Sequence, residues 1–144
     1  MLNPIIYHLL LVAVAAYAFL RGRGDERLAA AICVFATIAT RLVLSPTHMR
    51  YSGVEVGVLV VDFLTLTGFV VIALRTDRFW PLWVAGLQLT TMTAHMLKAV
   101  EIDLMPKAYA AAGRFWVYPI FLIIVIGTWR SHQRRRSERQ ASTA

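Results

Sequence analysis

Asp62, Glu55, Arg41, His95, Lys98 and Arg114 are ionisable groups that stand inside or at the edge of long apolar stretches. Their spacing gathers them at one level. Glu55 and Asp62 are seven residues apart, two turns along one side of a helix, and Thr65 continues that stripe. Gln88, Thr91, His95 and Lys98 advance by three or four, as do Cys33, Thr37 and Arg41, and Arg114 pairs in the same way with Tyr118. At a rise of ~1.5 Å per residue, Arg41 lies about 6 Å from the near end of its stretch. His95 and Arg114 come out at about 8–9 Å and Asp62 at about 13 Å on the same rise. A charge turned toward lipid costs several kcal/mol, so each stripe must face protein or water.

Two chemistries fit such a layer. One is an ion-pair lock that fixes helix register, with the carboxylates Glu55 and Asp62 against Arg41, Lys98 and Arg114. The three cations have long side chains that also reach outward to headgroups, whereas Asp62 is too short and too deep to do so. Arg41 is its expected first partner, because a short connection joins their two stretches. The other chemistry is a binding site for an ion, a proton or a small substrate around Asp62. A third use concerns histidine. His8 and His95 fall at similar depth on different stretches, as the axial pair of a haem would require, and they are the candidate haem ligands. No other cofactor is indicated.

The elements that position these groups are five apolar stretches, Pro4–Leu20, Leu28–Leu44, Val54–Leu74, Phe79–Val100 and Tyr109–Trp129. Several approach the ~20 residues needed to cross ~30 Å of hydrocarbon. With 58% hydrophobic residues in 144, the chain reads as an all-α integral membrane bundle of five transmembrane helices. A soluble helical bundle is the competing class. It would need polar faces that Val56–Val61 and Ile120–Gly127 do not offer. Residues 1–130 form the expected transmembrane domain, and 131–144 a basic cytoplasmic tail expected to be disordered. Short connections make successive helices antiparallel neighbours. Pro81 falls in the first turn of the fourth helix, and Pro119 is expected to kink the fifth.

Charge orients the path. Arg21, Arg23, Arg27, Arg75, Arg78, Arg130, Arg134, Arg135, Arg136 and Arg139 all fall on one side of an alternating five-pass route, while the other connections carry only Arg50 and Lys107. Basic connections stay cytoplasmic, which places the N-terminus out and the C-terminus in. The net charge of +7 is therefore a topology signal, not a mark of nucleic-acid binding. It favours the lipid bilayer as partner, with anionic headgroups at the C-terminal tail. Trp80, Trp83 and Trp129 at one level and Tyr7, Tyr51 and Tyr109 at the other suit the two interfaces. Three arginines follow the first stretch and no basic residue precedes it, so it reads as a retained helix and not a cleaved signal.

Cys33 is the single cysteine, which excludes an intrachain disulfide and a cysteine-based zinc site. The chain carries no phosphate-binding glycine loop, no His-Glu-x-x-His and no serine nucleophile elbow. No catalytic residue is assigned. Gly53-x-x-x-Gly57 and the alanines of the first two helices suit close packing inside the bundle better than a dimer face.

Arg50-Tyr51-Ser52-Gly53-Val54-Glu55-Val56-Gly57 leading to Asp62, then Arg75-Thr76-Asp77-Arg78-Phe79-Trp80-Pro81-Leu82-Trp83 with Gly86-Leu87-Gln88 and His95, and last Gly127-Thr128-Trp129 together carry a resemblance. Over most of its length the chain resembles a group of small uncharacterised multi-pass inner-membrane proteins of proteobacteria. The resemblance implies a bacterial inner membrane and brings no activity, cofactor or site. The expected function is that of a non-enzymatic accessory or assembly subunit of a larger membrane complex. The alternatives are a small transporter or channel subunit using the Asp62 layer, and a haem-binding electron carrier through His8 and His95.

Overall fold

The computed structural model describes residues 4–43, 56–100 and 115–142, with side chains up to residue 97 in the second segment. Among these residues the chain is all-α, with helices joined by short turns and no strand. The helices are α1 (Pro4–Arg21), α2 (Gly24–Val43), α3 (Val56–Arg75), α4 (Trp80–Val100) and α5 (Val117–Ser142). Each packs on the next in sequence, α5 closes the ring onto α1, and α2 also touches α5 across it. The alternation puts the α1–α2 turn, the α3–α4 connection and the late part of α5 at one end. The arginines of that end are Arg21 closing α1, Arg23 in the turn, Arg27 on α2, Arg75 and Arg78 around the α3–α4 connection, and those of α5.

The buried faces follow helical spacing. Val58, Val61, Thr65, Phe69 and Ile72 line the inner side of α3, and Ile120, Phe121, Ile124, Gly127, Thr128 and Ser131 that of α5. On α1 the inner residues are Leu11, Val14 and Ala18, and on α2 they are Glu26, Ala29 and Ala30. Small residues set the closest approaches. A Cβ on Gly57 would stand 2.8 Å from Val43 Cβ, and one on Gly68 2.8 Å from Ile32 Cδ1, so α2 and α3 touch at both glycines. Gly127 lies against the Trp80 ring, 3.2 Å from a Cβ built there. Gly57 thus serves packing within the bundle, the first of the two uses its motif allowed.

The outside of the ring is apolar. Leu20, Leu42, Leu74 and Phe79 are each 78–81% exposed, and Phe35, Phe63, Leu64, Leu82, Trp83 and Leu122 are exposed with them. Among the described residues two helices, Pro4–Arg21 and Val56–Arg75, are long and apolar enough to cross a membrane. The other three depart from that standard for visible reasons. α2 opens on Asp25, Glu26 and Arg27 and carries Arg41, α4 carries the Gln88–His95 stripe, and α5 combines an apolar first half with a basic second half.

Two boundaries differ from expectation. α2 starts at Gly24, so Asp25, Glu26 and Arg27 are helical and not part of a connection. Arg27 N–H bonds to the Arg23 carbonyl at 3.0 Å, and the Glu26 carboxylate accepts the Arg23 N–H at 2.7 Å. That is half of a capping box, with the acid on the third helical residue reaching back to the cap. Asp25 and Glu26 in the first turn also oppose the positive end of the helix dipole. Second, the tail expected to be disordered continues α5 as far as Ser142. Arg135 donates to the Gly22 carbonyl at 3.0 Å and Arg21 to His132 Nε2 at 3.0 Å, which tie it to the α1–α2 turn. Near Pro119, where a kink was expected, the helical run breaks at Trp116, and proline leaves the Phe115 carbonyl without its usual donor.

Candidate functional site

The polar groups of the described residues gather mainly toward the two ends of the ring. At the end opposite the arginines, α3 and α4 bring Asp62 and His95 together. Gln88 Nε2 donates to Asp62 Oδ1 at 3.2 Å. His95 Nε2 stands 3.0 Å from Asp62 Oδ2, within ion-pair distance, yet Oδ2 is buried and accepts no aligned hydrogen bond. Thr65 and Thr91 complete the two stripes, buried, with their hydroxyls donating to the Val61 and Leu87 carbonyls of their own helices.

A separate group joins α1 to α2. Arg41 Nη2 lies 3.1 Å from His8 Nε2, and His8 Nδ1 lies 2.6 Å from the Pro4 carbonyl oxygen. A guanidinium only donates and a carbonyl only accepts, so Nε2 is the bare nitrogen and Nδ1 carries the proton. His8 is the neutral Nδ1–H tautomer here. Beside it Thr37 donates to the Cys33 carbonyl at 2.8 Å, which leaves the Tyr7 hydroxyl as donor to Thr37 at 2.6 Å. The Tyr7 ring stacks on Phe121 at 5.8 Å and joins α5 to the group.

The expected layer is therefore divided. Asp62 meets His95 and Gln88, not Arg41. The Arg41 face of α2 turns toward α1, while Asp62 lies on the side of α3 that meets α4. Glu55, Arg114 and the Lys98 side chain fall outside the described residues. His8 and His95 are not brought together. α1 and α4 are not neighbours in the ring, and His8 Nε2 faces Arg41 while His95 Nε2 faces Asp62. Among the described residues no three His, Cys, Asp or Glu side chains converge on a metal position.

The second cluster was not foreseen. Glu26 is fully buried, and Arg78, from the α3–α4 connection, donates to its Oε1. The same guanidinium reaches Asp25 Oδ2 at 3.5 Å through Nε, and Thr76 donates to that oxygen at 3.2 Å. Charge had been expected in the buried interior only at the other end. The signal for Glu26 lay in its spacing to Ala29 and Ala30, which places it on the same inner face. At the edge of this end, His132 is held below the ordinary histidine range, by desolvation first and then by the charges of Arg21, Arg136, Arg135 and Arg139. Its neutral ring is the form that accepts from Arg21.

The comparisons are negative. No family model, curated protein or solved structure matches this chain. Its chemistry is then read from the clusters alone. They comprise a carboxylate against imidazole and amide, a guanidinium against imidazole, and two carboxylates against one arginine. Two cavities lie on the outer seam of α2 and α3, and Asp62 lines neither.

Proposed function

We propose that the chain is a five-pass protein of a bacterial inner membrane, N-terminus out and C-terminus in, that acts without catalysis of its own as an accessory or assembly subunit of a larger membrane complex. One observation carries the reading. Besides its buried core the bundle leaves many large apolar side chains on its outside, among them Leu20, Leu42, Leu74, Phe79 and Trp83. A soluble monomer seldom exposes a contiguous apolar patch above a few hundred Å². Such an exterior suits lipid or the helices of a partner, and the short connections leave little soluble surface for other work.

The test has two stages. Carbonate washing should leave the protein in the membrane pellet, and a reporter fused after Ala144 should read as cytoplasmic. A cysteine placed within residues 45–53 should react with an impermeant reagent from outside. Gentle purification should then yield a stoichiometric second protein. Release by carbonate would overturn the membrane placement, and a preparation that stays pure and single would overturn the subunit reading.

A second reading makes Asp62 and His95 an ion or proton site of a small transporter. The buried Asp62 Oδ2, facing His95 without an aligned hydrogen bond, favours it. Asp62→Asn separates the two. Asparagine keeps the oxygen that Gln88 needs and offers N–H to a neutral His95, so the fold should lose only about 1 kcal/mol. Under the subunit reading the partner is still retained at wild-type level. Under the transporter reading activity disappears while the melting temperature holds. Rescue by neutralising Arg41 is no longer expected, since Arg41 has His8.

A further inference from the structure

We propose that the α2–α3 seam binds one anionic phospholipid of the cytoplasmic leaflet, its phosphate on Arg75 and an acyl chain along the seam. The inference rests on the membrane placement above. Two cavities open on this outer seam, to either side of the contact between Gly68 and Ile32. The one toward the middle of the bundle has a volume of about 470 Å³ and is walled by Ala31, Phe35, Ala39 and Leu64. The other, of about 210 Å³, runs over Leu28 and Val71 to a polar mouth at Arg75 and Thr76. Phe35 and Leu64 are more than half exposed, so the groove opens outward and not into the ring.

Length and charge choose the occupant. From Leu28 to Ala39 the two cavities, with the Gly68–Ile32 contact between them, together span about 16 Å of α2 at the helical rise. One leaflet of a ~30 Å hydrocarbon core has the same depth. The mouth lies at the arginine-rich end, where the cytoplasmic leaflet presents anionic headgroups. Arg75 is exposed and has no hydrogen-bond or ion-pair partner among the described residues. Asp25, the acid at the mouth, already faces Arg78 at 3.5 Å and Thr76 at 3.2 Å. A guanidinium offers a phosphate paired N–H donors in a fixed plane. A basic mouth above an apolar trough one leaflet long suits a phospholipid better than a protein helix, whose backbone ends would need their own partners.

Native mass spectrometry of the full chain in detergent, with phosphatidylglycerol or phosphatidylcholine of identical acyl chains, tests this. Wild type should retain one phosphatidylglycerol about fivefold better than phosphatidylcholine, the weight of one arginine near an anionic surface. Arg75→Gln should erase that preference, and Ala39→Leu should reduce retention of both lipids. Inorganic phosphate should compete with neither. Arg75 is exposed, so its variant should keep the wild-type helical circular dichroism and size-exclusion profile. That arm stays readable if Ala39→Leu disturbs packing. Equal retention of the two lipids, or an unchanged preference in Arg75→Gln, would overturn the proposal. So would a doubled mass that Ala39→Leu removes while lipid retention persists, which would put a second copy in the groove. Release of the protein by carbonate would instead point to failure of the membrane placement.

Discussion

Arg78→Ala should destabilise the bundle by ~3–5 kcal/mol, the cost of leaving a buried carboxylate without its cation. Glu26 has no exposure to solvent, so it cannot turn to water when the guanidinium is gone. It keeps only the Arg23 N–H at 2.7 Å on its other oxygen. Asp25 should feel the loss less, since its side chain is 23% exposed and Thr76 still donates to it. Glu26→Gln should cost less than Arg78→Ala, because a neutral amide leaves no buried charge and its oxygen still accepts the cap N–H. Combining Glu26→Gln with Arg78→Ala should recover most of the loss, and the cycle of single and double variants isolates the pair energy. Reversible unfolding in detergent, followed by helical circular dichroism, measures all four proteins. An Arg78→Ala midpoint equal to wild type would mean that this cluster does not hold α2 to the α3–α4 connection.

Gly22→Ala should cost about 3 kcal/mol, the upper end of the overpacking range. A Cβ at this position would stand 2.4 Å from the Ala18 carbonyl oxygen and 2.9 Å from Glu26 Cβ. Neither neighbour is the far end of a flexible chain. The Ala18 oxygen already accepts the Gly22 N–H at 2.8 Å, and Glu26 is pinned by Arg78 and the cap. The two-residue turn must therefore open, which also strains the Arg135 bond to the Gly22 carbonyl. Gly24→Ala is the control, since a Cβ there meets nothing within 4 Å. It should be neutral or slightly stabilising through the unfolded chain. Equal melting temperatures for the two alanine variants would rule out a steric role for Gly22.

Both predictions concern an end of the molecule that reads from sequence as a set of charged connections. Asp25 and Glu26 look like counter-charges in a basic loop until the helix is seen to begin at Gly24. A carboxylate three residues after a cap serves equally well in water or in a core. Only the arrival of Arg78 from 52 residues away makes burial tolerable. The same limit applied to the tail. Its polar composition gives no packing face, yet α5 carries it past the α1–α2 turn, where His132 and Arg135 find partners.

The sequence by itself determined the local order: five helices from five apolar stretches, their antiparallel succession, an arginine-rich end, and polar stripes whose members share a helix face. These follow from the 3.6-residue period and from short connections, which are properties of the chain near each residue. It did not determine which stripe meets which. Periodicity fixes a side chain's direction relative to its own helix axis, but the rotation of each helix about that axis is set by packing. Gly57 on Val43, Gly68 on Ile32 and Gly127 on Trp80 set those contacts. With them Asp62 meets His95 and Gln88 on α4, and Arg41 meets His8 on α1. Close-packed neighbours many residues apart made that choice, because small residues let two backbones approach in only a few rotations.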